Sequence, residues 1–563
     1  MMANHLFRKK SIPFILREAE TGLGDAEGHH TSLKKVLGVR DLTFLGIAAV
    51  IGTGVFTAIG SASYHGGPAV VLLFGITAIA CGFAAFCYAE FASTIPVSGS
   101  AYTYSYVAFG EIIAWIIGWD LLMEYAIGNI AVAISWSQYF VRVLDGFGLH
   151  IPPWLTMDYF TAHKGFNEAG NTLTSIDSTL RNAYEAWTQA PVIGNFRIIM
   201  NIPALLIVIL ITYIVYIGIR ESKKANNVMV LIKLAIILVV IIAGAFYIKT
   251  DNWANFMPNG FSGVLSGVSA VFFAYIGFDA ISTTAEECKN PQRDLPRAMF
   301  NTLIICTVLY CVLVLVLTGM THYSKLNVAD PLAFVFKNQN SQVSGWISGI
   351  ISLSAIFVIA SVLLVYQLGQ PRIWMSMSRD GLLPKIFSRI HPKYKTPSFS
   401  TILTGIIVGV PALFLNLDVV IALTSIGTLF AFVLVCGGVL VLESQPDRPV
   451  SKFKVPFISG KYIIPVLFIS AIVLIAIYSP SHFSYIFTKE GFPMAVFWIV
   501  AAIVSILSFV KNFSLIPVLG LLSCFYLMAQ ESHTNWYRFI IWLLIGLVIY
   551  FTYGYKHSHL VKK

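Results

Sequence analysis

The sequence predicts an all-α integral membrane protein of about 14 transmembrane helices, of which the first and sixth are broken. Three observations lead to this fold class. Apolar residues make up 57% of the 563 residues, and charged residues only 11%. The apolar residues form runs of about 20, the helix length that crosses a ~30 Å hydrocarbon layer. Glycine interrupts two of these runs at the depth of the membrane centre.

Each apolar run is expected to form one transmembrane helix, and the ends of the runs set the approximate bounds. The predicted spans are 42–65, 69–93, 110–143, 198–218, 226–248, 262–285, 298–320, 343–376, 399–416, 419–441, 461–480, 492–510, 514–530 and 537–555.

The spans divide the chain into four segments. A cytoplasmic N-terminal tail, for which the sequence suggests no chemistry, covers 1–40, and a first repeat with spans 1 to 5 and the outer loop 145–197 covers 41–250. A second repeat with spans 6 to 10 covers 251–445. Accessory spans 11 to 14 and a cytoplasmic C-terminus cover 446–563.

The distribution of charge predicts the orientation. The chain has 37 Lys and Arg against 27 Asp and Glu, a formal net charge of +10. Most Lys and Arg fall in the segments that are cytoplasmic if the N-terminus is inside, so both termini are expected in the cytoplasm. The positive charge therefore serves topology and contact with anionic lipid, and nucleic acid is not an expected partner.

The first interruption lies in "GIAAVIGTGVF", residues 46–56. Gly52, Thr53 and Gly54 weaken a helix, since each Gly costs roughly 1 kcal/mol relative to Ala. Thr53 lies about 12 residues into span 1, or ~18 Å deep. The second interruption lies in "AVFFAYIGFDAISTTAEE", where Phe273 is also about 12 residues deep and Gly277 follows.

Backbone outside a helix is tolerated at this depth where protein or a wet cavity satisfies it. Matching breaks in spans 1 and 6 predict two five-helix halves of inverted topology, with a substrate site between them. A pair of ordinary glycine kinks is the alternative.

Four motifs carry a family resemblance: "GIAAVIGTGVF", "PVSGSAYTYSYVAFGEIIAWIIGWDLLMEYAIG", "FFAYIGFDAISTTAEECKNPQRDLPRA" and "SRDGLLP". The chain resembles the amino acid–polyamine–organocation (APC) superfamily from about residue 33 to residue 445, and within it the cationic amino acid transporter branch with its bacterial members. The resemblance implies a permease. Many bacterial members of that branch are similar to proton-coupled carriers of neutral amino acids, so the branch name does not decide the cargo.

An amino acid in the membrane needs partners for its carboxylate and its ammonium. The half-helix that begins at Thr53 presents N–H groups and a positive dipole end to a carboxylate. Carbonyls freed at the breaks suit an ammonium, and glycine allows a close approach to the main chain. The predicted substrate-binding residues are Val50, Ile51, Gly52, Thr53, Gly54, Phe273, Ala274, Ile276, Gly277, Glu124 and Tyr366.

Lys233 lies about 11 residues from the inner end of span 5, ~16 Å deep and among apolar neighbours. The resemblance implies that it replaces the sodium ion of other relatives by bonding span-1 carbonyls near Gly52 to Gly54. It is the predicted proton-coupling residue, and a purely structural lysine is the alternative.

Three of the acidic side chains within the spans are Asp120, Glu124 and Asp279. Glu124 on span 3 is expected to line the site, or else to partner a backbone group or Lys233. Asp120 shares its helix face, four residues away. Asp279 is expected to cap the half-helix after the second break, with a position lining the inner pathway as the alternative.

Two aromatic residues are assigned from the resemblance. Phe273 matches an outer gate, with simple packing as the alternative. Tyr366 matches a position in the side-chain pocket, where its bulk favours small cargo.

The sequence therefore predicts proton-coupled uptake of small neutral L-amino acids across a bacterial cytoplasmic membrane. The partners are the amino acid, the proton and the lipid bilayer, with the oligomeric state open. A carrier of arginine or lysine and an exchanger are the alternatives. A receptor that binds without transport and a membrane enzyme are less favoured than these. An enzyme would need a polar catalytic cluster, and Asp158, His163 and Glu168 of the outer loop have no recognisable catalytic spacing. No cofactor, metal site or nucleotide motif is expected.

Overall fold

The computed structural model describes residues 7–12, 15, 35–52, 54–169, 178–194, 196–328, 331–337, 342–444, 451–478 and 480–560. Thr53, one of the predicted binding residues, lies outside the described residues. A short antiparallel hairpin, β1 (Val192–Ile193) and β2 (Phe196–Arg197), lies in the predicted outer loop.

Helices make up most of the rest of the described chain. The segment predicted as the first repeat contains α1 (Val39–Val50), α2 (Ile59–Gly66), α3 (Val70–Thr94), α4 (Ala101–Ala108), α5 (Glu111–Gly146), α6 (Tyr159–Ala169), α7 (Ser178–Gln189), α8 (Ile202–Ile217) and α9 (Ile219–Ala245). The segment predicted as the second repeat contains α10 (Gly260–Leu265), α11 (Val268–Phe273), α12 (Ala280–Thr283), α13 (Pro291–Met320), α14 (Pro331–Lys337), α15 (Gln342–Arg379), α16 (Ser398–Ala412) and α17 (Leu417–Glu443). The accessory segment contains α18 (Ile463–Tyr478), α19 (Ser481–Ile486), α20 (Phe492–Lys511), α21 (Leu515–Ala529), α22 (His533–Ile549) and α23 (Tyr555–His557).

A helix, continuous or interrupted, occupies every predicted span. Among the described residues, 8 helices are long and apolar enough to cross a membrane. Shorter apolar helices complete the bundle, among them α8, α16, α18 and α21. The chain is therefore a multi-pass membrane protein, as its composition predicts.

Both predicted interruptions are present. In span 1, α1 ends at Val50, and a π-helical turn over Gly54–Ala58 leads into α2. In span 6, α11 ends at Phe273, and the next helix, α12, begins only at Ala280. The second break is therefore several residues long, wider than one kinked glycine.

The packing places both breaks at the centre of the bundle. The long helices α5 and α15 run along one another, and α13 packs against both α1 and α3. Among the accessory helices, α21 packs on α17, while α22 packs on α5 and α17. The broken segments thus lie among α3, α9, α13, α15 and α17, and the accessory helices lie outside them.

Candidate functional site

The two breaks touch one another through bare backbone. A Cβ atom on Gly54 would overlap the Cα of Ala274. A Cβ on Gly277 would lie 2.6 Å from the Cβ of Ala49, and Gly277 also has a φ of +115°, which favours glycine. Each broken helix therefore needs a glycine where the other crosses it.

Gly52 meets a different neighbour. A Cβ there would lie 2.5 Å from Cγ2 of Val362 on α15. The prediction from sequence explained Gly52 and Gly54 by the approach of a ligand to the main chain. In this structure protein atoms already occupy the space beside both glycines, so close helix packing is a sufficient reason for them.

The residues predicted to offer carbonyl acceptors at the breaks are gathered in the core. Val50, Ile51, Phe273, Ala274 and Ile276 are all buried, with at most 6% of any of them exposed. Phe273, the predicted gate, is the one that is 6% exposed. The breaks thus bring these residues together away from solvent.

Tyr310 on α13 joins the two breaks, and sequence reasoning did not find it. Its hydroxyl lies 2.9 Å from the carbonyl oxygen of Val50 and 2.9 Å from that of Ala274. A hydroxyl carries one proton, so it donates to one of these carbonyls at a time. A polar side chain in the middle of the apolar run 298–320 was the signal in the sequence that could have indicated it.

Lys233 points into the bundle from α9 and is fully buried. Its Nζ donates to the carbonyl of Ala48 at 2.9 Å. The backbone N–H of Ile51 still donates to the carbonyl of Ile47 in the helical pattern. Lys233 therefore donates to the carbonyl that follows, that of Ala48. The Cys306 thiol on α13 lies nearby.

This contact corrects one detail of the sequence interpretation. Lys233 was expected to bond carbonyls near Gly52 to Gly54, beyond the end of α1. It bonds Ala48 instead, in the last turn of α1, because that helix continues to Val50 before it breaks. The lysine thereby replaces a backbone donor that the break removes.

Tyr366 on α15 and Glu124 on α5 lie beside the breaks, where these two helices face each other. The ring of Tyr366 on α15 lies 5.5 Å from that of Tyr125, and a Cβ on Gly128 would come within 3.0 Å of it. Glu124 is 3% exposed. Its Oε2 has no hydrogen-bond partner among the described residues, and Thr428 on α17 lies close to the carboxylate. Bulky rings and one carboxylate therefore meet at this edge of the centre.

Two more carboxylates are buried near Glu124. Asp120 and Asp279 are both buried, and both interact electrostatically with Glu124. Asp279 does occupy the position before α12, but its side chain makes no capping hydrogen bond, so the prediction that it caps this helix is wrong. The residue before α12 has a helical backbone, φ −69° and ψ −26°, whereas an N-cap residue typically has an extended one.

Segments near the two termini pack together on one side of the bundle, around the carboxylate of Glu111. Glu111, fully buried at the start of α5, accepts hydrogen bonds from Tyr106, Tyr550 and Ser558 at 2.9, 2.9 and 2.6 Å. Arg8 pairs with the same carboxylate at 3.7 Å.

Asp380, at the end of α15, is a second junction. It accepts hydrogen bonds from Lys10 and from the Tyr102 hydroxyl, and its own carbonyl accepts from the backbone of His559. Described segments near both ends of the chain therefore reach the core helices. The predicted tail without chemistry is in part a structural element, which the sequence did not reveal because all of these contacts are between distant segments.

Comparison with known proteins places the chain in a family. The family model described as amino acid permease matches residues 37–484, and a model of the permease C-terminus matches residues 514–558. The chain is 38% identical over 558 residues to the methylthioribose transporter of Bacillus subtilis, covering 99% of each protein.

Two further relatives extend the comparison. The branched-chain amino acid permease BcaP of Bacillus subtilis is 38% identical over 563 residues, covering 99% of this chain and 100% of the relative. Human cationic amino acid transporter 4 is 31% identical over 595 residues, covering 94% and 88%. The chain therefore belongs to the amino acid permease family, within the APC superfamily, and is a membrane transporter and not an enzyme.

Proposed function

We propose that this transporter takes up small neutral L-amino acids together with protons, across a bacterial cytoplasmic membrane and with both termini in the cytoplasm. The observation that carries the proposal is the buried amine of Lys233, bonded to the carbonyl of Ala48 in the last turn before the first break. The substrate would bind at the same helix end to which this amine is bonded. Substrate binding and the protonation state of the amine can therefore influence each other.

The surroundings of Lys233 support a role for its side-chain proton in energy coupling. Within the described part of the chain it forms no salt bridge, and its partners are one carbonyl and a nearby thiol. A charge in such a place is costly unless a change in conformation admits water or a counter-charge. Coupling requires that two conformations bind the proton with different affinity, and burial in one and hydration in the other meets that requirement.

The test is uptake into proteoliposomes with an inward proton gradient. Lys233→Met keeps the length of the side chain and removes its charge. We expect a folded protein that loses gradient-driven accumulation and keeps slow exchange. A protonophore should abolish wild-type accumulation, whereas replacement of sodium by choline should not change it.

Lys223→Met is the matched control. Lys223 lies on the same helix, α9, but its Nζ pairs with Asp41 at 2.8 Å near the end of the span and is partly exposed. Its loss should leave coupling intact. If uptake follows the sodium gradient and survives Lys233→Met, Lys233 is structural and proton coupling through it is wrong.

The rings near Glu124 support a small cargo. Tyr366 fills the space beside Gly128 and Tyr125, so little room remains there for a long side chain. The relative that carries branched-chain amino acids, as its name states, also favours neutral cargo.

Cationic amino acids are the second candidate. A desolvated carboxylate such as Glu124, with one oxygen free of hydrogen bonds among the described residues, could receive a guanidinium or ammonium. Several relatives are named cationic amino acid transporters. Competition of labelled alanine uptake by excess leucine, lysine and arginine ranks the candidates, and strong inhibition by arginine alone overturns the neutral assignment.

A further inference from the structure

An open groove runs between the end of α5 and the beginning of α15 on the surface of the bundle. Its volume is about 770 Å³, which is within the range of roughly 300–1,000 Å³ of ligand sites. The candidate site lies elsewhere, because none of its described residues lines the groove. The lining from the two helix ends includes Arg142, Gly146, Phe147, Trp346, Gly349 and Ile350.

The groove lies at the predicted outer edge of the membrane. Arg142 falls at the end of predicted span 3, and Trp346 falls near the beginning of predicted span 8. Tryptophan is typical of the zone where hydrocarbon meets the lipid headgroups. Trp346 and Phe147 are 78% and 73% exposed. Exposed apolar side chains at this level of a membrane protein contact lipid, so lipid is the molecule that meets this groove.

Two glycines keep the groove open. A Cβ atom on Gly146 or on Gly349 would have no neighbouring atom within 4 Å. Close packing within the chain therefore requires neither glycine, in contrast to Gly54 and Gly277 at the breaks. Bare backbone at these two positions lets a hydrocarbon chain approach the helices closely.

Of the described residues that line the groove, Arg142 is the only charged one. The centre of its guanidinium lies 5.9 Å from the centre of the Tyr139 ring, one turn earlier on α5, close enough for a cation–π contact. A guanidinium binds phosphate through several N–H groups.

The groove has no matching negative charge. No Asp or Glu lines it in the described part of the chain, so it offers no partner to the ammonium of a zwitterionic headgroup. Asp145, the next carboxylate along α5, is hydrogen-bonded to His150 at 2.8 Å and does not line the groove. A headgroup with a net negative charge is therefore the complement of this surface.

We propose that this groove binds one phospholipid with an anionic headgroup. The guanidinium of Arg142 holds the phosphate, and Trp346 lies at the level of the headgroup. An acyl chain runs over the bare backbone at Gly146 and Gly349. This site differs from the general attraction of cytoplasmic Lys and Arg for anionic lipid, because it lies at the opposite edge of the predicted spans.

The groove is connected to the first break. The hydroxyl of Tyr139, on whose ring Arg142 packs, donates to the carbonyl of Phe56 at 2.7 Å. Phe56 lies in the π-helical turn that follows the break. A lipid held by Arg142 therefore supports the fold beside the broken helix. Since a ligand of the folded state stabilises it, the lipid should raise the melting temperature.

The experiment is native mass spectrometry of the delipidated protein in detergent, titrated with phosphatidylglycerol or with phosphatidylcholine. The wild-type protein should bind phosphatidylglycerol more tightly. Arg142→Gln should raise the apparent Kd for phosphatidylglycerol about tenfold, the usual effect of one lost hydrogen bond to a charged group. The apparent Kd for phosphatidylcholine should change less.

Lys249→Gln is the matched control for charge. Lys249 is exposed, follows predicted span 5 at the same outer edge and does not line the groove. Its loss should change the apparent Kd of neither lipid. Phosphatidylglycerol should also raise the melting temperature of the wild type and of Lys249→Gln, and should raise that of Arg142→Gln less.

Gly349→Phe tests the groove without a change in charge. The variant should fold, because the Cβ position of Gly349 faces open space. The added ring fills the groove, so binding of phosphatidylglycerol should weaken. Gly75→Phe on α3 is the control, since its Cβ position is equally open and lies outside the groove.

The same spectra contain the results that would overturn the inference. Equal affinity of the wild type for the two lipids would do so, as would unchanged binding of phosphatidylglycerol in both Arg142→Gln and Gly349→Phe. A dimer that Gly349→Phe dissociates, with no bound phosphatidylglycerol, would assign the groove to a second copy of the chain instead. None of these results depends on which amino acid the protein carries.

Discussion

At the scale of single residues, glycine decides whether the broken helices can meet. Gly277 combines a φ of +115° with a Cβ position 2.6 Å from the Cβ of Ala49. An alanine there would need both a strained backbone and a shift of α1. Gly75 on α3 has no neighbouring atom within 4 Å of its Cβ position and is an ordinary helical glycine.

Gly277→Ala should therefore destabilise the protein by about 2–4 kcal/mol, the sum of backbone strain and overpacking. The measurement is the melting temperature of the purified protein in detergent. Gly75→Ala is the control and should be neutral or stabilising by up to ~1 kcal/mol, because alanine favours a helix. Equal melting temperatures for the two variants would mean that the breaks do not pack as described.

At the scale of elements, a buried ion pair joins α15 to the segment after the second break. Arg372 donates to both oxygens of Glu287, at 2.9 and 2.7 Å, and each side chain is only 2% exposed. The backbone carbonyl of Glu287 also accepts from Val36 and Leu37 of the N-terminal segment. Three segments therefore depend on this one residue.

Glu287→Gln should destabilise the protein by about 3–5 kcal/mol, because it leaves a buried guanidinium without a counter-charge. The neighbouring pair of Arg379 and Glu286 is more exposed, so Glu286→Gln should cost less, ~1 kcal/mol. Thermal unfolding measures both. A double variant, Glu287→Gln with Arg372→Gln, should recover part of the loss, and a further loss in the double variant would contradict this account.

At the scale of the whole molecule, the accessory helices are attached to the helix that carries Glu124. Trp119 of α5 donates to the carbonyl of Trp542 at 3.0 Å, and Trp542 donates back to the carbonyl of Trp119 at 3.2 Å. Trp115 donates to the carbonyl of Gly546 at 2.8 Å. These paired indoles hold α22 close to α5.

Gly546→Leu should separate these helices, since even a Cβ at this position would overlap the indole of Trp119. We expect the melting temperature to fall by at least about 5 °C. Gly345→Leu on α15 is the control, because its Cβ position faces open space. If both variants melt like the wild type, α22 is not held at Gly546.

The described tertiary contacts also explain why part of the candidate site escaped sequence reasoning. The breaks at Gly52 to Gly54 and at Gly277 are local weaknesses of a helix, so they are visible in a short stretch of chain. Tyr310 lies 260 positions from Val50, and no local pattern states that its hydroxyl reaches that carbonyl.

The sequence by itself determined the membrane class, the helix positions, the two breaks and the burial of Lys233, because hydropathy and helix propensity are properties of neighbouring residues. Only the tertiary structure decided which atoms meet. Lys233 meets Ala48, Tyr310 meets both breaks, and the segments near the two termini meet Glu111. The physical reason is that a buried polar group takes whichever partner packing brings within hydrogen-bond distance, and packing is decided by the whole chain.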